Sequence, residues 1–325
     1  MSPTLRVGLV GAGGVGARHA TTLAGLDDVD LVAITDVDPA RAETLAADHD
    51  ARVHPTQADM MGSDRLDAIW LCVPPFAHGE PERLAIEAGL PFFVEKPLGT
   101  DLETAEDIAR AVQASGLPTA TGYHWRGMPG VERAEQALAD CPVRLATGAW
   151  LDKVPPVAWW SSRSGSGGQV NEQATHLLDV MRALVGEPVS VHAAAARVAE
   201  RAPDLVDPAT AAVLSFDTGA VGTLAAANTL RWKESATLLL VADGLAVEIG
   251  ETATLLRWPD HVEEVPDEGA AKVRVDADFC DAVRRGDAGA VRVPYAEALR
   301  THRVGCALTE SADRGHAIDV TVDRG

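Results

Sequence analysis

Leu5-Arg6-Val7-Gly8-Leu9-Val10-Gly11-Ala12-Gly13-Gly14-Val15-Gly16 is the stretch on which the reading of this chain turns. The apolar run Leu5–Val10 predicts a buried strand and Val15–Ala24 a helix, with Gly-x-Gly-x-x-Gly at the junction. Each glycine has its own task in that pattern. Gly11 permits a tight turn, Gly13 lets the backbone approach a pyrophosphate, and Gly16 lets the helix pack closely on the strand. The same six residues also read as an ordinary strand-to-helix turn. Their place directly after the first strand, opening a helix, favours the dinucleotide reading.

The next strand, Leu31–Thr35, leads into Asp36, which stands 20 residues beyond Gly16. A carboxylate there accepts the adenosine ribose hydroxyls and repels a 2′-phosphate, and no Arg or Lys follows until Arg41. NAD is therefore expected over NADP. Asp36 also suits the turn Asp36-Val37-Asp38-Pro39, in which Asp38 caps a helix over Pro39–Ala47. Strands over Ala68–Val73, Phe92–Val94 and Thr119–Gly122 alternate with helices over Pro81–Ala88 and Leu102–Ala114, which implies βαβ units and a parallel sheet.

The pattern changes after Tyr123. A helix over Val131–Ala139 and a strand over Val143–Trp150 lead to a Pro-, Trp-, Ser- and Gly-rich loop, Val154–Gly168, and then to a helix over Val170–Val185. Val189–Val265 reads as hairpin-linked strands with turns at Asp217-Thr218-Gly219 and Asp243-Gly244. Helices over Asp276–Arg285 and Tyr295–Arg314 close the chain. The expected fold class is α/β: a Rossmann dinucleotide-binding domain over residues 1–123, then an α/β domain over 124–325 with a mostly antiparallel open sheet, serving substrate binding and oligomerisation.

Composition narrows the partners. The 325 residues suffice for two domains without covalent staples, and 28 Lys plus Arg stand against 48 Asp plus Glu, a net charge of −20. Such a surface repels nucleic acid and anionic lipid. Cys72, Cys141, Cys280 and Cys306 keep no metal-ligand spacing, so no metal is expected. The first residues run straight into a strand without a secretory pattern, and no membrane span is expected, which leaves the cytoplasm as the expected location.

Two further stretches carry a resemblance. One is Ala68-Ile69-Trp70-Leu71-Cys72-Val73-Pro74-Pro75 with His78, followed by Glu95-Lys96-Pro97; the other is Ser166-Gly167-Gly168-Gln169-Val170-Asn171-Glu172-Gln173-Ala174-Thr175-His176-Leu177-Leu178-Asp179. Together they resemble the glucose–fructose oxidoreductase and inositol dehydrogenase (Gfo/Idh/MocA) family over nearly the whole chain. The resemblance implies a nicotinamide cofactor along the first domain, touching Val15, Val73, Pro74, His78, Glu95 and Lys96 besides the glycines and Asp36. It implies a sugar or polyol between the domains, with Lys96 as active-site lysine and His176 as catalytic histidine. Glu172 departs from the family's usual Asp, and Ser166 from a frequent triple glycine. Tyr123-His124-Trp125-Arg126 occupies the segment that approaches nicotinamide and substrate, which makes His124 and Arg126 substrate-binding candidates beside Trp160 and Arg163. Relatives commonly pair through the second domain's sheet, so a homodimer or homotetramer is expected, with Leu238, Leu240 and Val247 on the sheet's free face.

The chemistry reads the same way. Oxidising an alcohol carbon requires removal of the hydroxyl proton, for which histidine is a suitable base near neutral pH. Glu172 stands four residues before His176, a spacing that shares one α-helix face and either orients the imidazole or relays its proton; alone, such a pair is usually a surface contact. Lys96, at the carboxyl end of a parallel strand, can stabilise charge on oxygen or act as acid or base. His78 reads as structural or helix-capping near the cofactor. Trp159 and Trp160 either stack on a sugar or pack, and Arg163 either binds an anion or is solvated. The expected activity is an NAD-dependent dehydrogenase or reductase acting on a hydroxyl or keto carbon of a sugar, cyclitol or sugar-like compound. The alternatives are redox-neutral glycoside cleavage with retained NAD, and a non-enzymatic cofactor-sensing regulator.

Overall fold

The computed structural model describes residues 4–196, 202 and 204–320. Contacts divide the chain into two units. The first comprises 1–99, 103–122 and 272–298; the second comprises 100–102, 123–271 and 299–325. The expected boundary near residue 123 reappears, but the second domain is not the continuous 124–325: residues 272–298 return to the first unit.

In the first unit, β1 (Leu5–Val10), α1 (Gly14–Ala24), β2 (Val29–Thr35), α2 (Pro39–His49), β3 (Arg52–Val53), α3 (Gln57–Ser63), β4 (Ala68–Leu71), α4 (Glu80–Glu87), β5 (Phe92–Val94), α5 (Leu102–Ser115) and β6 (Thr119–Thr121) follow in turn. The six strands are all parallel, in the order β3-β2-β1-β4-β5-β6. This is the doubly wound order with a switch point beside β1, where ligands bind at the carboxyl ends of the strands. Val7, Leu9, Ile34, Trp70 and Phe93 are fully buried, as expected for strands covered on both faces. The short β3 and α3 lack a strong apolar period and were not legible in the sequence.

The second unit contains α6 (Pro129–Leu138), β7 (Val143–Lys153), a single turn α7 (Arg163–Ser166), α8 (Thr175–Leu184), and strands β8 (Pro188–Ala195), β9 (Ala209–Phe216), β10 (Val221–Leu230), β11 (Ser235–Ala242), β12 (Leu245–Gly250), β13 (Ala253–Arg257) and β14 (Val262–Pro266). After α9 (Ala270–Arg285) comes α10 (Tyr295–Arg314), then β15 (Ile318–Asp319). The nine-stranded sheet runs β14-β13-β12-β11-β7-β10-β9-β8-β15, antiparallel throughout except for the β7–β10 pair. Burial alternates along β10 and β11, so one face packs into the core and one stays open. Leu238, Leu240 and Val247 are fully buried, which corrects their expected place on the free face. A strand's period of two makes an error of one residue a change of face. The open face carries Leu145, Val213 and Val221 instead, exposed by 38%, 53% and 49%. Val221 lies beside Leu145, and Thr223, two residues on, lies opposite Val213. Among the described residues no helix is long and apolar enough to cross a membrane.

Aromatic packing and buried charge explain why α9 joins the first unit. Phe279 meets Trp70 edge-on at 5.2 Å between ring centroids and Phe93 at 6.0 Å. Asp276 Oδ1 accepts the Trp70 indole N–H at 2.9 Å and lies 2.8 Å from His19 Nδ1. His19 Nε2 lies 2.9 Å from Glu95 Oε1, which also accepts Arg18. Burial works against a charged His19, but the Asp276 charge and hydrogen bond, joined by Glu95, outweigh it and raise its pKa from the usual 6.5 to about 9. Burial likewise works against an ionised Glu95, yet the His19 hydrogen bond and the Arg18 and His19 charges bring it down from 4.5 to about 2.

A pH dependence of stability follows. A raised histidine contributes stability that is complete below about 6.5 and is lost as pH climbs through about 9. A depressed carboxyl contributes above about 4.5 and is lost as pH falls through about 2. Thermal unfolding between pH 6.5 and 9.5 is expected to shift to lower temperature with rising pH. The shift should shrink in His19→Gln; equal slopes in both proteins would contradict this charge assignment.

Candidate functional site

Gly11 has φ +95, in the left-handed region, and a Cβ there would lie 2.3 Å from the Cys72 carbonyl oxygen. A Cβ on Gly16 would lie 1.9 Å from the Gly11 carbonyl oxygen. Both positions therefore demand glycine. Gly13 differs, since a Cβ there would meet nothing within 4 Å; this side of the turn is open. No acidic side chain lies in the first turn of α1 and no side chain caps it. Its N–H groups and helix dipole thus present a site for an anion. The turn fits a dinucleotide pyrophosphate.

Asp36 closes the same turn from β2. Its Oδ2 accepts the Ala12 N–H at 2.6 Å and its Oδ1 accepts the Asp38 N–H at 2.8 Å. The carboxylate is part of the turn, yet each oxygen keeps a lone pair for a ribose hydroxyl. Asp38 caps α2 through Ala40 N–H, as read from the sequence. Val15 is 44% exposed in the first turn of α1, while Val73 and Pro74 are half-buried just beyond β4. His78 is buried; its Nδ1 lies 2.5 Å from Glu82 Oε1, and Glu82 Oε2 accepts the Gly79 N–H. Glu82 is thus the residue that caps α4, and His78 braces the Glu82 carboxylate from outside the helix.

Glu95 and Lys96 follow β5 directly. Lys96 is half-buried. The Glu95 carboxylate is held by Arg18, His19 and, at Oε2, the Lys96 backbone N–H at 3.1 Å. It fits beside Gly122, where a Cβ would lie 2.6 Å from its oxygens. Glu95 thus serves as an internal anchor, a role the sequence did not suggest.

The second unit builds the surroundings of His176. The imidazole is buried, with ring centroids of Tyr123, His124, Trp125 and Trp150 at 6.0, 4.7, 6.2 and 6.0 Å. Trp125 and Trp150 lie nearly parallel to it, while Tyr123 and His124 approach edge-on. Lys233 Nζ lies 4.3 Å from the Trp150 ring centroid, a cation–π contact, and pairs with Glu251 at 2.6 Å. The enclosure arises because the 3₁₀ turn His124–Gly127 lies against α8. Arg126 secures that turn, giving two bonds of 2.8 and 3.0 Å to Asp179, one helical turn beyond His176. Burial raises the Asp179 carboxyl, partly opposed by Arg126 and Arg182. Tyr123 Oη meets Thr175 Oγ1 at 2.9 Å. Trp125 and Trp150 were not given a role in the sequence; their signal was an aromatic inside the post-sheet segment and one at the end of the expected strand Val143–Trp150.

Three expected substrate residues take structural partners. Arg126 holds Asp179. Trp160 is 1% exposed and presents no ring face for stacking; its indole donates to Glu172 Oε2 at 2.5 Å. Of the two readings for Trp160, packing is what the structure has. Arg163 pairs with Asp207 and, at 2.9 Å, with Asp313. Burial opposes its charge, but these two carboxylates overcome that and raise its pKa. It anchors the loop rather than standing as an unpaired anion receptor.

Glu172 lies in a π-helical turn over Val170–Ala174, before the regular α8. That wider turn breaks the i, i+4 α-helical register anticipated between Glu172 and His176. Ser166 fits in place of glycine because only Gly167 and Gly168, at φ +73 and +92, adopt the left-handed conformation. Its Oγ donates to Ser162 O and accepts the Gly168 N–H.

Comparison with known proteins agrees with this architecture. The family model described as "Oxidoreductase family, NAD-binding Rossmann fold" matches residues 5–123, and the GFO/IDH/MocA C-terminal domain matches 142–247, together more than half of the chain. Inositol 2-dehydrogenase from Rhizobium meliloti (strain 1021) is 32% identical over 203 residues, 61% of each protein. The match thus spans less than two thirds of that relative's length. Levoglucosan dehydrogenase, solved with NADH and levoglucosan, superposes with TM-score 0.89 at 20% identity, covering 98% of this chain and 100% of that one. A myo-inositol dehydrogenase structure, described as putative, from Sinorhizobium meliloti 1021 gives TM-score 0.82 at 24% identity, with 98% and 100% covered. With the glycine turn, the doubly wound sheet and the mostly antiparallel second sheet in hand, the chain belongs to the Gfo/Idh/MocA oxidoreductase family.

Proposed function

We propose that the protein is an NAD-dependent oxidoreductase that moves a hydride between nicotinamide and a hydroxyl or keto carbon of a sugar, cyclitol or sugar-like compound. The observation that carries this reading is His176, buried among Tyr123, His124, Trp125 and Trp150 in a chain whose other unit has an open dinucleotide turn and Lys96 after β5. Similarity to an inositol 2-dehydrogenase and to a levoglucosan dehydrogenase supports the substrate class. It also favours dehydrogenation over redox-neutral cleavage or a regulatory role.

Bound NAD supplies the hydride acceptor. His176 takes the hydroxyl proton, and the aromatic rings around it exclude water and hold its orientation. Lys96 stabilises negative charge on the substrate oxygen. Glu172, held by Trp160, tunes the turn that leads into α8. Gly11, Gly13, Val15 and Gly16 receive the pyrophosphate end, with Val73, Pro74 and His78 bordering the cofactor, and Asp36 receives the adenosine ribose. His124, half-buried beside His176, is the remaining substrate-binding candidate of the post-sheet segment. The four free cysteines suit a reducing compartment, and we assign the protein to the cytoplasm.

A screen of NAD and NADP reduction against sugars, cyclitols and aminosugars tests the activity. His176→Ala and Lys96→Ala are each expected to slow single-turnover hydride transfer by about 10²-fold or more, with NAD affinity little changed. Near-normal transfer in His176→Ala would remove histidine from the mechanism. Glu172→Gln should cost less. NAD should be preferred, and Asp36→Ser with an added neighbouring Arg should move preference towards NADP; better use of NADP by the parent protein would refute the role of Asp36.

The open sheet face supports a homodimer or homotetramer, since Leu145, Val213 and Val221 form an apolar patch there. Light scattering should give twice the chain mass or more, and Val213→Glu combined with Val221→Glu should return it to a monomer. A monomeric parent protein would end the proposal.

A further inference from the structure

Asp276, His19 and Glu95 form a buried row in the first unit that ends on the backbone of Lys96. Their side chains are each exposed by 8% or less. Asp276 lies 2.8 Å from His19 Nδ1, and His19 Nε2 lies 2.9 Å from Glu95 Oε1. Glu95 Oε2 then accepts the Lys96 N–H at 3.1 Å. Four side elements converge on the row. Trp70 donates to Asp276 and Arg18 donates to Glu95, at 2.9 Å each. Gly122 leaves the space the Glu95 carboxylate occupies. Cys72, a buried thiol, feels both carboxylates, which reinforce the upward push of burial on its pKa.

Arg18 and His19 lie in α1, whose first turn forms the dinucleotide turn, and Glu95 and Lys96 follow β5. A buried imidazole between two carboxylates has both ring nitrogens engaged, so its orientation is fixed. Glu95 in turn cannot rotate without leaving an unpaired charge in the core, which is costly. The Lys96 charge is also one of the influences that depress Glu95, so the two side chains interact electrostatically.

We propose that Asp276, His19 and Glu95 are positioning residues for Lys96, tying the helix that follows the dinucleotide turn to the lysine at the end of β5. None of them is a catalytic residue in this scheme; they act through the backbone and charge environment of Lys96. The inference rests on the reading of Lys96 as an active-site group.

The chain has only four lysines, Lys96, Lys153, Lys233 and Lys272, so a direct readout is practical. The full chain is dimethylated at its amines with ¹³C-formaldehyde and observed by NMR, and the Lys96 resonance is identified by its loss in Lys96→Arg. In Glu95→Gln and in His19→Gln the Lys96 resonance is expected to shift while those of Lys153, Lys233 and Lys272 stay in place. In His19→Gln, NAD affinity from calorimetric titration is expected to remain within about threefold of the parent, a small part of a typical binding free energy. A Lys96 resonance that coincides with the parent in both variants overturns the proposal. So does a joint movement of all four resonances, which marks a general structural role. If Glu95→Gln does not fold, His19→Gln and the near-isosteric Asp276→Asn decide by the same criterion. Failure of the reading of Lys96 as an active-site group appears separately, as unchanged turnover in Lys96→Ala, and leaves the resonance test intact.

Discussion

A carboxylate removed from water must be met by cations and donors, and that requirement organises each unit of this protein. Glu95 and Asp276 in the first unit and Asp179 in the second have side chains almost wholly buried. An uncompensated charge at such depth costs several kcal/mol, so the partners are effectively obligatory. In the first unit they are Arg18, His19 and the Trp70 indole. In the second they are the two-pronged Arg126 and the Thr301 hydroxyl. The fold around each candidate functional residue is largely what satisfies these three groups.

The second unit makes the point for His176. Asp179 follows it by three residues on α8, so whatever binds Asp179 is carried to the same part of the helix. Arg126 is that partner, and it brings His124 and Trp125 with it. Trp150 approaches from β7, the central strand of the sheet. The imidazole is thereby flanked by four rings, which pack against it.

Several residues whose chemistry suggests ligand binding also hold the chain together. Arg126, Arg163 and Trp160 each carry donors suited to a sugar or an anion, and each spends them on a carboxylate of the chain itself. With a net charge of −20, acidic partners for every buried arginine are plentiful. Glu172 is a related case: four residues before His176 suggests one face of an α-helix, but the π turn over Val170–Ala174 changes that register.

What the sequence determined by itself was everything that rests on local pattern. The glycine turn, the alternation of strands and helices, the cap at Asp38 and the hairpin signals are short-range, and most elements formed close to their patterns; β3 and α3 were missed, Val170–Ala174 is a π turn, and α9 starts at Ala270 rather than Asp276. The Glu-Lys-Pro and His176 stretches likewise marked the family through contiguous residues. Only tertiary structure could return residues 272–298 to the first unit, because that depends on Phe279 and Asp276 meeting Trp70 and His19 across more than two hundred residues of chain. The same holds for the open face of the second sheet, where a shift of one residue exchanges Leu238 and Leu240 for the opposite side. Local propensity is written residue by residue, whereas the partner of a buried charge and the face of a half-buried strand are decided by what the folded chain brings against them.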